Sequence, residues 1–321
     1  MMPNALALYV IRRLLALCGL LVLISFLVFS LLYISPGNPV DILLGDVPRT
    51  PGLVAAIQKE YHLNEPFLTQ YWIWAKNALH FKFGNSIQTT LPVSDEIGRR
   101  WTTSVFLATY AFILTTFFGV GLGIVSALRQ GSIADRGVVA GALIGLSTPA
   151  FVSGVVLLYV FAILLPWFPV FGNGQGFVDQ LWHLTLPAVA LALFSSAYLL
   201  KHTRAAVIRV RDQDYVTFAR ARGLSQARIL FRYVLRNALI PIVTISGLQI
   251  GFLLVGAVLV EVTFSLSGLG SLLVSSAIDK DLPMLQGVAM LVAVIVMGAN
   301  LLADLAYVAA DPRIRLGRRA T

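Results

Sequence analysis

The sequence predicts an all-α membrane protein that crosses the bilayer as six helices. The chain is 58% hydrophobic and only 12% charged, whereas soluble globular proteins are about 45–50% apolar and about 25% charged. The mean hydropathy is +0.83. Apolar runs recur along the chain at about the 20-residue length that spans roughly 30 Å of hydrocarbon. These runs are too long and unbroken for the strands of a closed barrel, the other structure that satisfies its backbone in lipid.

The first apolar run is expected to remain in the protein as a transmembrane helix. A secretory signal peptide has an apolar core of about 7–15 residues followed by a small-residue cleavage site. The run from Leu14 to Ile34 is longer, and no Ala-x-Ala pattern follows it. We therefore place the first span at 10–34. The other five are expected at 102–128, 137–165, 182–202, 238–261 and 284–308.

Prolines are expected to shape two of these spans. The third span is long and ends at Pro166, which predicts tilt or a break. Pro149 and Pro187 lie within spans, where a proline removes a backbone donor and kinks a helix.

The distribution of basic residues predicts the orientation of the chain in the membrane. With the N-terminus inside, one side carries 17 basic and 5 acidic residues, and the other carries 7 basic and 10 acidic residues. The positive-inside rule then places both termini in the cytoplasm. The net charge of +9 reflects this topology. It does not indicate a nucleic-acid partner, because no soluble basic face is present.

We divide the chain into an N-terminal segment with the first span (1–35), an extracytoplasmic domain (36–100) and a five-span core (101–321). In the extracytoplasmic domain, Leu53–Leu63 and Thr69–Leu79 are expected to form short amphipathic helices. Their aromatic residues Tyr71, Trp72 and Trp74 suit the membrane interface. The domain is either a lid on the outer membrane surface or part of an entry vestibule that meets an external partner.

The sequence lacks the motifs of a self-contained enzyme. It has no Walker A motif, no HExxH or GxSxG motif, and no paired-cysteine site. Its single cysteine, Cys18, cannot form an intramolecular disulfide, and its four histidines are scattered. We therefore expect no catalytic residue and no bound metal.

The spans are also poor in ionisable side chains. No Asp, Glu, Lys or Arg lies in 101–128, 137–165 or 238–260. Ion-coupled carriers usually bury such groups near the midplane. Sodium coupling through backbone carbonyls at broken helices stays open, but an energy source outside this chain is the simpler hypothesis.

One charged segment, Asp214–Pro241, interrupts the apolar sequence between the fourth and fifth spans. We expect a short helix Tyr215–Arg222, a break at Gly223 and a second helix Gln226–Leu239 with Ser225 as N-cap. The full capping box is absent because no Glu or Gln stands three residues after Ser225.

The second helix is expected to have a basic and an apolar side. Arg228, Arg232 and Arg236 form a stripe at i, i+4 spacing, and each such pair of like charges opposes an isolated helix by about 0.2–0.5 kcal/mol. An anionic partner is therefore expected. The opposite side is expected to carry Leu230, Phe231, Val234 and Leu235.

Two interpretations of this segment stay open from the pattern alone. The arginines could lie at anionic lipid headgroups and fix the topology, or the segment could dock into a groove of a cytoplasmic protein. The small residues Ala219, Ala221 and Gly223 favour docking, because they allow another backbone to approach closely.

The segment resembles the EAA loop of ABC-importer permeases in the dipeptide, oligopeptide and nickel permease family. The family pattern Y-V-x-x-A-R-A-[KR]-G-L-S is matched from Tyr215 to Ser225, and R-N-A-L-x-P is matched from Arg236 to Pro241. Thr217 stands where other permeases carry the glutamate that names the loop. The resemblance is strongest to the B-type subunit of dipeptide permeases.

Further elements extend the resemblance over essentially the whole chain. They are an opening R-R-L…P-G-N-P, the segments FGNSI and LSTPAFVSG, the residues Asp281, Pro283 and Gln286, and the C-terminal NLLADLAYVAADPRIR. Ser267 departs from the family, which often has proline there.

The resemblance implies a type I ABC-importer permease in the bacterial cytoplasmic (inner) membrane. Such a chain pairs with a second, homologous permease as a heterodimer. Two cytoplasmic ATPase subunits or domains bind the ATP and Mg²⁺, so this chain is expected to hold no cofactor. An extracytoplasmic binding protein delivers di- or oligopeptides. Nickel chelates and haem are alternative substrates in the same family, and a self-contained secondary transporter is a less favoured alternative.

The resemblance also implies two sets of functional residues. The expected ATPase-docking residues are Tyr215, Ala219, Arg220, Ala221, Gly223, Leu224, Ser225, Arg228, Phe231, Arg232 and Arg236, within a coupling loop at about 203–237. The expected path or gate residues are Glu261, Ser147, Ser246, Gln249 and Asn300. For each path residue, helix packing or interhelical hydrogen bonding is the competing explanation.

Overall fold

A computed structural model describes residues 3–34, 37–45 and 48–310. Within these ranges the chain forms helices and no β-strand, apart from one isolated bridge between Asn85 and Pro92. The end of the predicted C-terminal motif, with Arg313 and Arg315, lies outside the described residues, as do Arg318 and Arg319 after it and Pro36 of the opening motif.

The described helices are, in chain order, α1 (Pro3–Ile34), α2 (Pro39–Leu44), α3 (Pro51–Glu60), α4 (Phe67–Ala78), α5 (Val93–Leu128), α6 (Ile133–Ser147), α7 (Ala150–Leu157), α8 (Gly176–Arg211), α9 (Asp214–Ala221), α10 (Gln226–Arg228), α11 (Arg236–Thr263), α12 (Leu269–Ile278) and α13 (Leu282–Ala310). Two π-helical segments, Leu158–Leu164 and Ile229–Leu235, follow α7 and α10.

Five stretches in the described part of the chain are long and apolar enough to cross a membrane. They are Val10–Ile34, Val93–Leu128, Gly176–Arg211, Gln226–Thr263 and Leu282–Leu305. A sixth span is completed if Ile133–Ser147 and Ala150–Leu164 cross together, although they are bent by 105°. The prediction of a multi-pass, all-helical membrane protein is confirmed.

The predicted third span is divided at Thr148 and Pro149. Thr148 has an extended backbone (φ −106°, ψ 118°), as expected of a residue before proline, because the proline ring disfavours the helical conformation there. Pro187 does not divide its helix, since it lies inside the continuous helix α8.

Helix α8 is much longer than the predicted span 182–202. It runs for 36 residues, which corresponds to about 54 Å at 1.5 Å per residue. The prediction from the apolar run was too short, because the helix continues through Asp179 at one end and through charged residues after Leu200 at the other.

Contacts divide the chain into two units. The first contains Val105–Leu266 together with the described residues up to Ala7 and those from Gly298 onward. Its largest core includes Leu107, Leu184, Leu191, Leu253 and Val260, contributed by α5, α8 and α11. The first unit contains the segment 214–236 and all five of the expected path or gate residues.

The second unit contains Leu8–Ser104 and Ser267–Met297. Its core joins Val28, Val93, Leu272 and Met284. The predicted division at residues 36 and 101 follows chain order, whereas this unit assembles segments that are distant in sequence.

The two short amphipathic helices of the second unit are present as α3 and α4. Tyr71 on α4 packs against α1, with its hydroxyl 2.8 Å from the Ser25 hydroxyl. Trp74 also faces inward, with its ring 5.7 Å from that of Phe29. Trp72 is 71% exposed. Of the three aromatic residues expected at the membrane interface, only Trp72 therefore projects outward.

Three residues of the family-like motifs hold the second unit together. Asp281 caps α13 by accepting a 3.2 Å hydrogen bond from the Met284 backbone, and the Ser86 hydroxyl donates to its other carboxylate oxygen. The Gln286 amide donates to the Val28 carbonyl at 3.2 Å. These side chains are buried, which indicates a structural role.

Candidate functional site

The segment 214–236 begins with α9 and turns sharply at Gly223. Gly223 has φ +74°, a backbone conformation that residues other than glycine rarely adopt. The Gly223 backbone N–H donates to the Arg220 carbonyl at 2.9 Å, and that of Leu224 donates to Ala219 at 3.3 Å. The predicted first helix and glycine break are confirmed.

The second helix differs from the regular α-helix expected between Gln226 and Leu239. Only α10 is regular, and it passes through the π-helix Ile229–Leu235 directly into α11, so no helix end occurs at Leu239. Ser225 precedes it with an extended backbone but makes no side-chain capping hydrogen bond.

The π-helix changes which residues face inward. Ile229, Val234 and Ala238 are buried, at spacings of five and then four residues. A π-helix closes i to i+5 hydrogen bonds, so each turn there takes more residues than in an α-helix. Phe231, predicted to share the apolar side with Val234, is instead 69% exposed; that assignment was wrong.

The buried side of the segment packs against the ends of α5 and α8. Its core contains Val216 and Ala219 from α9, and Ala127, Ala206 and Val207 from the two longer helices. Ala219 is therefore an internal packing residue, 4% exposed, and is not available to a partner in this arrangement. Leu224 is half-buried against the same core.

The outer side of the segment is aromatic and basic. The other expected docking residues are exposed: Tyr215, Arg220, Ala221, Gly223, Ser225, Arg228, Phe231, Arg232 and Arg236. Phe218, which the sequence reasoning missed, is 68% exposed. Val216 and Ala219 are three residues apart and share the buried face of α9, so Phe218 lies on a different face; this spacing was the signal that could have identified it. Aromatic and arginine side chains are the types most enriched at the energetic centres of protein interfaces.

Three of the expected path or gate residues are buried within the first unit. The Gln249 amide donates to the Ser195 backbone carbonyl at 2.9 Å, which joins α11 to α8. The Ser246 hydroxyl donates to the Ile242 carbonyl at 2.9 Å within α11. Glu261 is 1% exposed. Such contacts are those of helix packing.

Ser147 and Asn300 are more accessible. Ser147 is exposed at the end of α6, where its hydroxyl donates to the Leu143 carbonyl at 2.9 Å. Asn300 is half-buried on α13 beside Gly251, and a β-carbon on Gly251 would lie 3.2 Å from its Oδ1.

A groove of about 920 Å³ lies between α5, α11 and the end of α13. Its lining is almost wholly apolar and includes Phe117, Val120, Ile250 and Leu302. Ser246 contributes one of the few polar side chains there. The groove is suited to apolar helix surface or lipid rather than to a hydrated solute.

Long apolar helices and an exposed aromatic and basic segment define a multi-pass membrane protein with a surface suited to a protein partner. The chain belongs to the family of binding-protein-dependent transport system inner membrane components, whose model matches residues 119–316. The N-terminal model of the same systems matches residues 6–108. It is therefore a multi-pass inner membrane component of an ABC importer, a class of complex that combines permeases, ATPases and a binding protein.

Curated relatives match nearly the full chain. A probable peptide ABC transporter permease, y4tP of Sinorhizobium fredii, is 36% identical over 310 residues, covering 96% of this chain and 99% of the relative. The glutathione transport system permease GsiC of Escherichia coli is 35% identical over 307 residues, covering 96% and 98%. A putative peptide transport system permease of Brucella abortus is 36% identical over 310 residues, covering 95% and 98%.

Solved structures share the fold. The inward-facing MetNI methionine ABC transporter matches with a TM-score of 0.57 at 15% identity, covering 67% of this chain and 96% of that chain. An amino acid ABC transporter solved with histidines matches with a TM-score of 0.51 at 18% identity, covering 67% and 94%. The predicted type I importer fold is confirmed.

Proposed function

We propose that the chain forms half of the translocation pathway for di- or oligopeptides in an ATP-driven importer. The observation that carries this proposal is the full-length similarity to permeases named for peptides and for glutathione, itself a tripeptide. A second, homologous permease forms the other half, and an extracytoplasmic binding protein supplies most of the selectivity.

ATP hydrolysis is coupled to transport through the outer side of segment 214–236. Phe218 and Phe231 project from a scaffold that α5 and α8 hold from behind. In this proposal they enter an apolar groove of an ATPase subunit, while Arg228, Arg232 and Arg236 meet acidic groups around it. Thr217, also exposed, contributes no charge where other permeases have glutamate.

ATP and Mg²⁺ are bound by the partner ATPases in this scheme. Closure of the ATPases displaces the docked segment, and the displacement switches the pathway between inward-open and outward-open states by rigid-body motion.

Among the expected path residues, the accessible Ser147 and Asn300 are the better candidates for substrate contact, because Ser246, Gln249 and Glu261 are buried. Both termini lie in the cytoplasm.

The Gly223 turn allows a direct test of docking. A β-carbon at Gly223 would meet nothing within 4 Å, but φ is +74°, so Gly223→Val strains the turn without a clash. Asparagine tolerates this conformation better, so Gly223→Asn is the paired variant. Gly176→Val is the matched control, because Gly176 has φ +78° and equally open surroundings.

We expect Gly223→Val to reduce both ATPase co-purification and peptide uptake, with Gly223→Asn less affected and Gly176→Val near wild type. Normal uptake together with normal assembly in Gly223→Val would rule out the docking role. Nickel chelates and haem, added as competitors in the uptake assay, test the alternative substrates.

A further inference from the structure

The first unit contains an ionic cluster, centred on Asp135, that the assignments above do not use. The carboxylate of Asp135, 4% exposed near the start of α6, receives both arms of the Arg204 guanidinium. Nε donates to Oδ1 at 2.9 Å and Nη2 to Oδ2 at 2.8 Å. The Ser126 hydroxyl and the Gly131 backbone N–H (2.8 Å) also donate to this carboxylate. One side chain therefore joins α5, the α5–α6 turn, α6 and α8.

The same end of α5 is held to α8 by two further features. At Gly119 and Gly123 the backbones approach so closely that a β-carbon would lie 3.0 Å from the Ser196 carbonyl oxygen and 2.9 Å from that of Leu200, respectively. Such small-xxx-small spacing permits close helix packing in membranes. Beyond it, the Arg211 guanidinium donates to the Ala127 carbonyl at 2.6 Å, where a cation also complements the negative end of a helix.

Helix α9 packs on this same assembly. Val216 and Ala219 share a core with Ala127, Ala206 and Val207. α9 is thus attached to the ends of α5 and α8 by apolar contact. At this end α6 is joined to α8 in two ways, by apolar packing of Val138 and Ala142 with Ala197 and Leu200 and by the charged hydrogen bonds between Asp135 and Arg204.

The pair is partly buried, with the Arg204 side chain 27% exposed. Such a pair is weak evidence of stability, because desolvation offsets much of the attraction, but its two-point geometry fixes one relative position of its helices. We propose that the Asp135–Arg204 pair is a positioning element that makes the α5–α6 turn move as one body with α9, so that a displacement of α9 reaches α6. This inference rests on the proposed docking function. It adds a specific residue pair that carries the displacement away from the docked surface.

The test measures the distance between α6 and α9 in the complete transporter. Spin labels are attached at Ile144→Cys on α6 and Gln213→Cys before α9, both exposed positions, after Cys18→Ser removes the only native cysteine. The distance between the two labels is measured by double electron–electron resonance spectroscopy, first without nucleotide and then after trapping with ADP and vanadate. A second pair of labels, at Gln213→Cys and on an ATPase subunit, reports whether α9 responds to nucleotide at all.

In wild type we expect a narrow distribution of α6–α9 distances whose mean does not change on trapping, while the α9–ATPase distance does change. In Asp135→Asn the α6–α9 distance should broaden or shift on trapping. ATP-driven uptake of radiolabelled trialanine should fall by roughly tenfold, with ATPase activity retained. Arg136→Gln, which removes an exposed charge from the adjacent position, is the control and should behave as wild type.

Two further variants keep the test decisive if Asp135→Asn does not fold. Arg204→Lys keeps the charge but loses the planar fork, and should show an intermediate effect. The exchange Asp135→Arg with Arg204→Asp should restore part of the uptake lost in either single variant. A purely structural pair would lower folded yield and uptake together without separating uptake from ATPase activity.

The inference would be overturned if Asp135→Asn, or Arg204→Lys in its place, kept the constant α6–α9 distance and normal uptake while α9 still responded to nucleotide. Failure of the proposed function looks different. In that case the α9–ATPase distance would not respond to nucleotide in wild type.

Discussion

A β-carbon placed on Gly123 would lie 2.7 Å from the β-carbon of Thr203. Helices α5 and α8 therefore meet at this point with no room for a methyl group. Thr203 immediately precedes Arg204 on α8, and Gly123 lies about one turn before Ser126 on α5, so the contact adjoins the cluster around Asp135. It keeps the two helices at a fixed separation close to where α9 packs on them.

Substitution Gly123→Ala should destabilise the protein by about 1–3 kcal/mol, because overpacking forces backbone to shift. Gly121→Ala is the matched control, since a β-carbon there meets nothing within 4 Å. Thermal unfolding of both variants in detergent provides the comparison. Equal melting temperatures for the two would contradict the close approach.

Substitution Gln249→Leu should separate a packing role from a path role. The amide joins α11 to Ser195 on α8, and hydrogen bonds between membrane helices contribute about 0.6 kcal/mol on average. We expect a small loss of stability with the relative uptake of different peptides unchanged. A changed order of preference among alanine peptides, without loss of stability, would instead place Gln249 in the pathway.

Substitutions Phe218→Ala and Phe231→Ala should weaken ATPase binding and leave folding intact, because both rings are about two-thirds exposed. Truncating an interface anchor costs at least about 2 kcal/mol, or more than tenfold in affinity. Ile229→Ala is the contrasting variant, since Ile229 is 2% exposed and should lower stability. Quantitative pull-down of the ATPase checks the first effect and thermal unfolding the second. Unchanged ATPase binding in both phenylalanine variants would exclude these rings as anchors.

Substitution Asp281→Ala should loosen the second unit. It removes the cap of α13 and leaves the buried Ser86 hydroxyl without its acceptor. A lost cap costs about 0.5–2 kcal/mol, and a lost hydrogen bond to a charged group costs about 1.5–3 kcal/mol. Limited proteolysis should cut within 80–92 sooner than in wild type, while Asp279→Ala, altering an exposed neighbour, should not. An unchanged digestion rate would contradict this role for Asp281.

Alkaline pH should destabilise the second unit through Tyr61. Burial, with smaller contributions from Glu60 and Asp281, raises the pKa of Tyr61 to about 12, whereas an unfolded tyrosine titrates near 10. The folded state therefore resists ionisation, so stability present below about pH 10 is lost as the pH rises towards 12, by about 2–3 kcal/mol. Denaturant unfolding from pH 9 to 12 measures this loss, which Tyr61→Phe should reduce. The same pH dependence in Tyr61→Phe would contradict it.

Local patterns predicted the features that depend on local causes. Apolar length gave the spans, and Gly223 marked a helix break because glycine reaches positive φ at low cost. The length of the third span predicted tilt or a break and Pro149 predicted a kink, but neither pattern gives the size of the observed 105° bend. Phe231 was assigned to the wrong side because the prediction assumed α-helical spacing through a π-helix.

Long-range contacts were outside the reach of these patterns. Asp135 and Arg204 are 69 residues apart in sequence, and each is an ordinary charged residue in its local context. Ala219 matched the docking motif, yet it is buried against α5 and α8. A motif match identified the segment, whereas the structure was needed to separate its packing residues from its exposed ones.

The most direct test of the central claim is uptake of radiolabelled trialanine into proteoliposomes that contain the full complex. We predict accumulation only when ATP and the binding protein are both present, and its loss when Phe218 and Phe231 are replaced together. Uptake driven by an ion gradient through this chain alone, without ATP or partners, would contradict the account.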